Sequence, residues 1–385
     1  MLQFLTQLAE SDALGGYGPL LEKITFRSSL ATLAAFLVTM ILGPRVIRLL
    51  GTHFRERLES RSPRLDELQR HKQATPTMGG LFVVAAIAAG VVMFGDLSNR
   101  FVLAALGLLL GLAALGGCDD LKKIRHGRGL RAATKLLTQL AIAAAVVVPV
   151  YTNHQINPQA LQLDLPLLER SLPLGIWFIP LATLVVVASS NAVNLTDGLD
   201  GLASGCLLLA FLAIGVLVYA VGHAEFAAYF GFTPIRGAGE LTILVGTAVG
   251  ALLGFLWFNC QPAQVFLGDT GSLPLGGLLG FLAIVARQEL LLALIAGVFV
   301  AEAVSVIAQV VSYRLWGRRV LRCAPLHHHF QFRGWAESKI VARFWIAAVL
   351  CAVAGLSAAR LGTSPTPAAD SHLVASQPAT ESTSK

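Results

Sequence analysis

Charged residues are scarce in this sequence: they make up 13% of its 385 residues, about half of the roughly 25% found in a typical soluble domain. Twenty-two acidic and 29 basic side chains are too few to give a soluble protein of this length a polar surface. The uncharged residues form long runs, each near the roughly 20 residues that cross a bilayer. These runs occupy 101–118, 136–153, 171–196, 201–222 and 241–268. The sequence therefore predicts a polytopic membrane protein and excludes the soluble classes.

Cysteine is also rare, and its spacing carries no motif. The five cysteines are Cys118, Cys206, Cys260, Cys323 and Cys351. They are scattered without a CxxC pair, which argues against both a disulfide framework and a zinc site. The N-terminus lacks the compact basic, apolar and cleavage regions of a signal peptide, so 1–27 is predicted to be a short lead-in.

Ten apolar segments are predicted to cross the membrane as helices, which makes the fold all-α. They lie at roughly 28–50, 77–95, 100–118, 132–151, 173–193, 199–221, 240–258, 271–287, 289–313 and 340–362. The ten-helix unit thus covers 28–362, and the Ser-, Thr-, Ala- and Pro-rich tail 363–385 is predicted to be disordered. No internal repeat is visible, although many transporters are built from repeated halves.

The basic residues are distributed unevenly between the two membrane faces. Segments 45–76, 118–135 and 314–343 carry 8, 6 and 7 Lys/Arg residues, and such an excess marks cytoplasmic loops. With ten spans, both termini then lie on the periplasmic face. The net charge of +7 is explained by membrane topology, so we expect no nucleic-acid partner.

Polar residues other than Lys and Arg recur in every predicted cytoplasmic loop. They form the clusters 75–77, 119–120, 191–200, 259, 268–272 and 327–329. Since these loops all meet the same membrane surface, they can converge on one site. Ionisable residues at the edge of an apolar span are costly and therefore point to function.

The aspartates in these clusters support two interpretations each. Asp119-Asp120 precedes two lysines and could be a solvated helix end, or a carboxylate site for Mg²⁺ or a general base. Asp269 lies between glycines at the start of a span, where it could cap a helix or face an anion. Asp197 and Asp200 could belong to an ordinary turn or to the same polar site.

Three consecutive histidines, 327–329, follow a proline. Zinc helices use His at i and i+4, so phosphate contact or a structural role is favoured over a metal site. Glu302 and Gln309 lie inside the ninth predicted span. Glu302 must face protein or water, and a buried structural hydrogen bond remains the plainer interpretation.

Taken together, these strings resemble the polyprenyl-phosphate N-acetylhexosamine-1-phosphate transferase superfamily, and within it the phospho-N-acetylmuramoyl-pentapeptide transferase family. The matching strings are 75–80 (TPTMGG), 119–120 with Lys123, 129–130 with Lys135, 190–201 (SNAVNLTDGLDG), 257–259 (WFN), 266–269 (FLGD) and 324–330 (APLHHHF). Ala74, Gly117-Cys118 and Leu267 depart from the usual family residues, but none of these changes removes a polar group.

The resemblance implies transfer of phospho-MurNAc-pentapeptide from UDP-MurNAc-pentapeptide to undecaprenyl phosphate with Mg²⁺. The products are lipid I and UMP, made at the cytoplasmic face of the bacterial inner membrane for peptidoglycan synthesis. It also implies a homodimer.

The implied roles fall into four groups. The implied catalytic set is Asp119 as base or nucleophile, Asp120 as its neighbour, Asp269 and His327. The implied Mg²⁺ ligands are Asp269 and Asn194. The implied uridine pocket is Lys72, Asp200 and Phe266. The rest of the implied substrate-binding set is Thr77, Lys123, Lys135, Asn191, Asn194, Asp197, Asn259, Gly268, Ser272, Gln309, His328 and His329.

Two routes for the reaction stay open, and two rival functions remain. Either the lipid phosphate attacks the donor directly, or an aspartate attacks first and UMP leaves before the lipid reacts. Direct attack is favoured, because a phosphate monoester with a second pKa near 6 is already mostly dianionic at pH 7. The rivals are the same chemistry on UDP-N-acetylglucosamine and, in another class, a membrane transporter, which would place its polar residues at the bilayer midplane.

Overall fold

A computed structural model of the chain describes residues 22–53, 67, 72, 75–155, 161–165 and 170–359. Most of the predicted lead-in 1–27 and the whole predicted tail 363–385 lie outside the described residues. Helices are numbered in chain order. They are α1 Ile24–His53, α2 Gly80–Phe94, α3 Arg100–His126, α4 Ala132–His154, α5 Phe178–Thr196, α6 Leu202–Gly222, α7 Ala224–Phe230, α8 Leu241–Asn259, α9 Asp269–Val285, α10 Glu289–Ile295, α11 Gly297–Trp316, α12 Leu326–Gln331 and α13 Glu337–Ala358.

Eight of the described helices are long and apolar enough to cross a membrane. They are α1, α3, α4, α5, α6, α8, α11 and α13. The other two predicted spans, 77–95 and 271–287, correspond to α2 and α9, which have only 15 and 17 residues. The prediction of an all-α polytopic membrane protein is confirmed, with two of its ten spans shorter than expected.

The short helix α9 lies in the middle of the bundle. Every one of its residues is buried, and it packs against α2, α3, α5 and α6. A helix surrounded by other helices does not need the length that contact with lipid demands. The apolar sequence of α9 therefore reflects a protein core rather than a lipid-facing span.

Two features of the fold differ from the sequence-based expectation. The ninth predicted span, 289–313, is divided into α10 and α11, because the backbone at Ala296 leaves the helical conformation. A small antiparallel hairpin also forms between β1 (Gln162–Leu165) and β2 (Arg170–Pro173). Strands of four residues are too short to give a clear alternating pattern in the sequence.

Local signals position the end of α3 that carries Asp119 and Asp120. Asn99 caps the first turn, since its side chain accepts hydrogen bonds from the backbone N–H groups of Phe101 and Val102. The helix ends at Gly127, whose φ of 69° is left-handed and suits glycine. The two aspartates consequently lie in the last turns of α3, at the same end of the bundle as the start of α9.

Candidate active site

Three aspartates form the centre of the candidate site. Asp119 and Asp120 lie near the end of α3, and Asp269 is the first residue of α9. All three are buried, and each offers a carboxylate oxygen within 4.8 Å of the others. Hard divalent cations such as Mg²⁺ prefer carboxylate oxygens as ligands, so this donor set fits a cation of that kind.

Two lysines neutralise part of the charge on these aspartates. Lys123 Nζ lies 2.9 Å from Asp119 Oδ2 and 3.1 Å from Asp269 Oδ2. Lys135, on α4, forms an ion pair with Asp269, and its Nζ lies 3.6 Å from Asp119 Oδ2. Three carboxylates against two ammonium groups leave a formal charge of about −1, which a divalent cation would reverse.

Asp120 is bound to the start of α9. Its Oδ1 accepts the backbone N–H of Asp269 at 3.2 Å, and its Oδ2 accepts the N–H and the hydroxyl of Thr270 at 2.9 and 2.7 Å. Gly268 makes this approach possible: its φ is 71°, and a Cβ there would lie 2.8 Å from Asp120 Oδ2. Asp120 therefore satisfies N–H groups at the helix N-terminus, which have no partner within the helix.

Asp119 faces a different set of donors. Its Oδ1 accepts the backbone N–H of Leu130 at 2.6 Å, while its Oδ2 faces Lys123 and Lys135. Both oxygens are thus occupied by donors, one a backbone N–H group and the other a pair of ammonium groups. This arrangement suits a residue that orients the two lysines better than one that removes a proton.

Asn194, near the end of α5, supports Asp269. Its Nδ2 donates to Asp269 Oδ1 at 2.7 Å and to Ser272 Oγ at 2.8 Å. An amide nitrogen that donates these bonds is not a metal ligand. In this arrangement only Oδ1 of Asn194 could bind a cation, alongside a carboxylate oxygen of Asp269.

A polar cleft of about 280 Å³ opens beside the aspartates. Thirteen residues line it: Lys72, Thr77, Asp120, Lys123, Asn194, Asp197, Gly198, Leu199, Asp200, Asn259, Phe266, Gly268 and Asp269. Burial raises the pKa of Asp197 to about 7, and the neighbouring Asp269 and Asp120 charges add to this effect. The lining joins loops that are far apart in sequence.

The TPTMGG segment forms one wall by pairing with the segment before Asp269. Phe266 N donates to Pro76 O at 2.9 Å, and Gly79 N donates to Phe266 O at 2.8 Å. Gly80 continues the contact: a Cβ there would lie 2.1 Å from Gly271 N. These bonds bring Thr77 and Phe266 to the cleft.

Lys72 also lines the cleft, where it lies between two carboxylates. Its Nζ bonds to Asp200 Oδ1 at 2.6 Å and to Glu337. Glu337 Oε1 also accepts the backbone N–H of Asp200 at 2.8 Å, and Ala263 N donates to Asp200 Oδ2 at 3.0 Å. Glu337 is absent from the sequence-based site because no recognisable motif surrounds it; its position at the edge of the last span was the available signal.

Asn259 connects three segments of the wall. Its Oδ1 accepts the N–H of Gly201 at 3.1 Å and the hydroxyl of Ser204 at 2.8 Å. Its Nδ2 donates to Val265 O at 2.9 Å. Because both ends of the amide are engaged within the protein, Asn259 shapes the cleft by holding its walls.

The first two histidines of the triplet lie behind the cleft on α12. His327 is fully buried, and its Nδ1 lies 3.2 Å from Glu302 Oε1. Gly198 leaves room for the His327 ring, since a Cβ on Gly198 would lie 2.3 Å from Nε2. Glu302 also accepts the N–H groups of Leu326 and His327, at 2.7 and 3.1 Å. Burial lowers the pKa of His328 to about 3. Glu302 thus makes the structural hydrogen bonds considered for it, and they position a predicted site residue.

Six of the predicted substrate-binding residues are not among those that line the cleft: Lys135, Ser272, His328, Gln309, His329 and Asn191. Lys135 and Ser272 contact Asp269 and Asn194 from outside the lining, whereas the last three contact other segments. Gln309 binds the backbone of Val320 and Leu321 and holds the loop before α12. His329 Nδ1 accepts the N–H of Arg322. Asn191 Nδ2 donates to Gln139 Oε1 at 2.9 Å and to Val187 O. In the described structure these three residues support neighbouring segments.

The sequence is similar to a known protein family. The family model described as glycosyl transferase family 4 matches residues 102–287. This stretch contains all three clustered aspartates and both lysines that pair with them.

Named relatives match almost the whole chain. It is similar to proteins named phospho-N-acetylmuramoyl-pentapeptide-transferase from three organisms. The relative from Solidesulfovibrio magneticus is 45% identical over 349 residues, which is 88% of this chain and 94% of the relative. The relative from Pelobacter propionicus is 43% identical, with the same two shares covered. The relative from Desulforapulum autotrophicum is 42% identical over 89% of this chain and 95% of the relative.

Proposed function

The chain belongs to the phospho-N-acetylmuramoyl-pentapeptide transferase family, and from this premise we propose that its polar cleft transfers phospho-MurNAc-pentapeptide from UDP-MurNAc-pentapeptide to undecaprenyl phosphate. The products are lipid I and UMP, and the reaction belongs to peptidoglycan synthesis. The observation that carries the proposal is the cluster of Asp119, Asp120 and Asp269 with two lysines at one end of the cleft. Phosphoryl transfer asks mainly for positioning and charge neutralisation, and this cluster provides both.

The reacting end of the cleft is the aspartate end. Asp269, with Oδ1 of Asn194, would hold a Mg²⁺ ion. When bound, the ion would neutralise the donor diphosphate and stabilise the departing UMP. Lys123 and Lys135 supply cationic donors to phosphate oxygens at the same place.

The bond changes follow from direct attack. A phosphate oxygen of the lipid acceptor attacks the sugar-linked phosphorus of the donor, and the bond from that phosphorus to the bridging oxygen breaks. The bridging oxygen leaves with UMP. No aspartate needs to take a proton, because the acceptor phosphate is mostly dianionic at pH 7. The donors around both oxygens of Asp119 favour this route over attack by Asp119 itself.

The other end of the cleft suits the uridine. Lys72 is bound between Asp200 and Glu337, so this end has a formal charge of about −1 and suits a neutral base better than a phosphate. Phe266 offers an aromatic face in the same lining. We assign Lys72, Asp200 and Phe266 to the nucleoside on these grounds.

An apolar groove next to the site suits the acceptor chain. It has a volume of about 280 Å³ and is lined by residues of α5, α9, α10 and α11, including Ala192 and Val193. Those two residues precede Asn194 on α5. A polyprenyl chain in this groove would deliver its phosphate to the aspartates from within the bilayer.

The cytoplasmic face is the proposed location of the cleft. The basic segments that mark cytoplasmic loops connect the helix ends that form the cleft. The proposed UDP-linked donor is a soluble compound of the cytoplasm, so its binding site must open to that side. The protein is accordingly proposed to reside in the bacterial inner membrane.

The experiment that tests the function is UMP release by the purified protein with UDP-MurNAc-pentapeptide, undecaprenyl phosphate and Mg²⁺. We expect release that requires both the lipid and the cation. Asp269→Asn should lower the rate at least about 10²-fold, because it removes a carboxylate from the point where charge develops. The matched control is Asp96→Asn in the α2–α3 loop, which keeps the oxygen that Ser98 binds and should be active.

Other outcomes of this assay would contradict specific parts of the proposal. Release with UDP-N-acetylglucosamine and none with the muramoyl donor would transfer the protein to the sister activity. Solute flux in proteoliposomes without UMP release would support a transporter. Exchange of labelled UMP into the donor in the absence of lipid would overturn direct attack in favour of a covalent aspartyl intermediate.

A further inference from the structure

A second apolar groove lies outside the polar cleft, between α11 and α13. Its volume is about 360 Å³. The residues that define it are Ala301 on α11, Leu326 and Phe330 on α12, Trp335, and Arg343 and Cys351 on α13. It does not share residues with the groove beside α5 that we assign to the polyprenyl chain.

The shape of this groove fits a hydrocarbon chain. From Arg343 to Cys351 it follows α13 for eight residues, or about 12 Å at 1.5 Å per residue. Phe344 and Val298 provide a buried apolar floor. Between two helices that cross a membrane, such a groove is open to lipid rather than to water.

One end of the groove is cationic. Lys339 Nζ lies 5.6 Å and the Arg343 guanidinium 4.3 Å from the centre of the Trp335 ring. Within the part of the chain that the structure describes, neither cation forms an ion pair with an acidic side chain. The nearby Glu337 is already bound to Lys72. Two cations that share one ring repel each other, so an anion is the complementary partner.

We propose that this groove binds an anionic phospholipid, with an acyl chain along α13 and the phosphate at Lys339 and Arg343. The cationic end lies beside α12 and therefore in the membrane leaflet that faces the active site. Basic residues near a membrane attract anionic lipid with about 1 kcal/mol each, and an apolar groove adds the burial of the chain.

The same lipid supports the histidine helix. Leu326 and Phe330 line the groove and belong to α12, which carries His327. Phe330 also stacks on Trp335 at 4.5 Å between ring centres. A chain packed against these residues supports α12 in addition to Glu302, so anionic lipid raises the rate of the reaction.

Binding is measured with the purified full-length chain, delipidated in detergent and titrated with phosphatidylglycerol or phosphatidylcholine. Native mass spectrometry counts the bound lipid. We expect preference for phosphatidylglycerol, and about fivefold weaker binding for each cation removed in Lys339→Gln and Arg343→Gln. The matched control is Arg45→Gln with Arg48→Gln on α1, which removes two exposed cations from the same end of the bundle.

A second pair of variants separates the groove from the charge. Ala301→Phe fills the groove without changing the charge, and we expect it to lower phosphatidylglycerol binding at least about fivefold. Ile307→Phe, on an exposed face of α11 outside the groove, should bind normally. Unfolding midpoints of all variants establish that each chain is folded.

Clear results would overturn the proposal. One is equal binding of the two phospholipids by the native chain. Another is an equal loss of binding in the α1 control, because Lys339 and Arg343 would then act only as topology determinants. Displacement of phosphatidylglycerol by undecaprenyl phosphate at equal concentration would assign the groove to the acceptor instead.

The activity arm uses nanodiscs of phosphatidylcholine with or without phosphatidylglycerol. We expect phosphatidylglycerol to increase UMP release by the native chain. The increase should be smaller in Arg343→Gln. This arm rests on the proposed function, whereas the binding arm does not. Preferential binding by a protein that releases no UMP would support the lipid site and count against the proposed function alone.

Discussion

At the scale of single residues, the three clustered aspartates differ in the donors that surround them. Asp120 accepts three hydrogen bonds from the start of α9, whereas Asp119 accepts a backbone N–H and faces two lysines. Asp269 is bound through Asn194 and both lysines. The same chemical group thus binds a helix N-terminus in Asp120 and pairs with two lysines in Asp119, while Asp269 is the aspartate that we propose as the Mg²⁺ ligand.

Glu337 is a positioning residue of the same kind at the other end of the cleft. It is buried between Lys72 and the backbone of Asp200, and it anchors the start of α13 to the loop before α6. Trp345, further along α13, donates to Gly201 O at 3.1 Å. The last helix therefore holds the wall that we assign to the nucleoside.

We expect Glu337→Gln to raise the KM for the UDP-linked donor about tenfold and to change kcat by less than about threefold. The substitution removes one charge-assisted partner of Lys72, which affects binding of the donor more than the reacting phosphorus. Steady-state UMP release at varied donor concentration measures both constants. The control is Glu225→Gln on the exposed surface of α7, and an unchanged KM with a reduced kcat would contradict this role.

At the scale of helices, the site depends on how closely α9 approaches its neighbours. A Cβ on Gly116 of α3 would lie 2.1 Å from Asp269 O, so glycine allows the two backbones to touch. This contact sets the separation between Asp119 and Asp269, because both aspartates lie within a turn of it. Sequence patterns that describe α3 and α9 separately contain no information about this distance.

We expect Gly116→Ala to lower UMP release about 10²-fold and to lower the free energy of unfolding by about 1–3 kcal/mol. The added methyl group must push α3 away from α9, and a shift of about 1 Å between reacting groups has a cost of this size. Gly107→Ala, on the same helix, is the matched control, since a Cβ at Gly107 would have no neighbouring atom within 4 Å. It should retain activity and gain up to about 1 kcal/mol of stability; equal activity in the two variants would refute the argument.

At the scale of the whole molecule, polar groups divide between the two ends of the bundle. The aspartate cluster, Lys72 and α12 lie at one end. The hairpin lies at the other, where Arg287 binds Asp164 at 2.8 Å and the backbone of Gln162. This division agrees with the basic segments assigned to the cytoplasmic side and favours an enzyme with a one-sided site over a transporter.

The orientation predicts opposite labelling of two loops. In a chain whose five native cysteines are replaced by alanine, Ser98→Cys in the α2–α3 loop should react with a membrane-impermeant maleimide in intact spheroplasts. Arg128→Cys in the α3–α4 loop should react only after lysis, because the proposed orientation places this loop on the cytoplasmic side. Both positions are exposed. The reverse pattern would place the active site on the outer face.

The sequence by itself determined the properties that depend on local composition. Long uncharged runs specified a helical membrane protein, because each span must satisfy its own backbone hydrogen bonds in lipid. The motif strings contain most of the residues that line the cleft, including Thr77, Asp120 and Asp269. Even so, length and hydropathy could not distinguish α9, which is buried by other helices, from a span that faces lipid.

Only the tertiary structure decided which donor each polar group meets. Asn194 and Asp269 are 75 residues apart in sequence, and Lys72 and Glu337 are 265 residues apart, so their contacts depend on how the helices pack. Packing also separates Gln309 from the cleft and brings Glu337 into contact with Lys72 and Asp200, which line it. Hydrogen bonds and ion pairs act over a few ångströms, and a linear pattern contains no such distance until the helices are in contact.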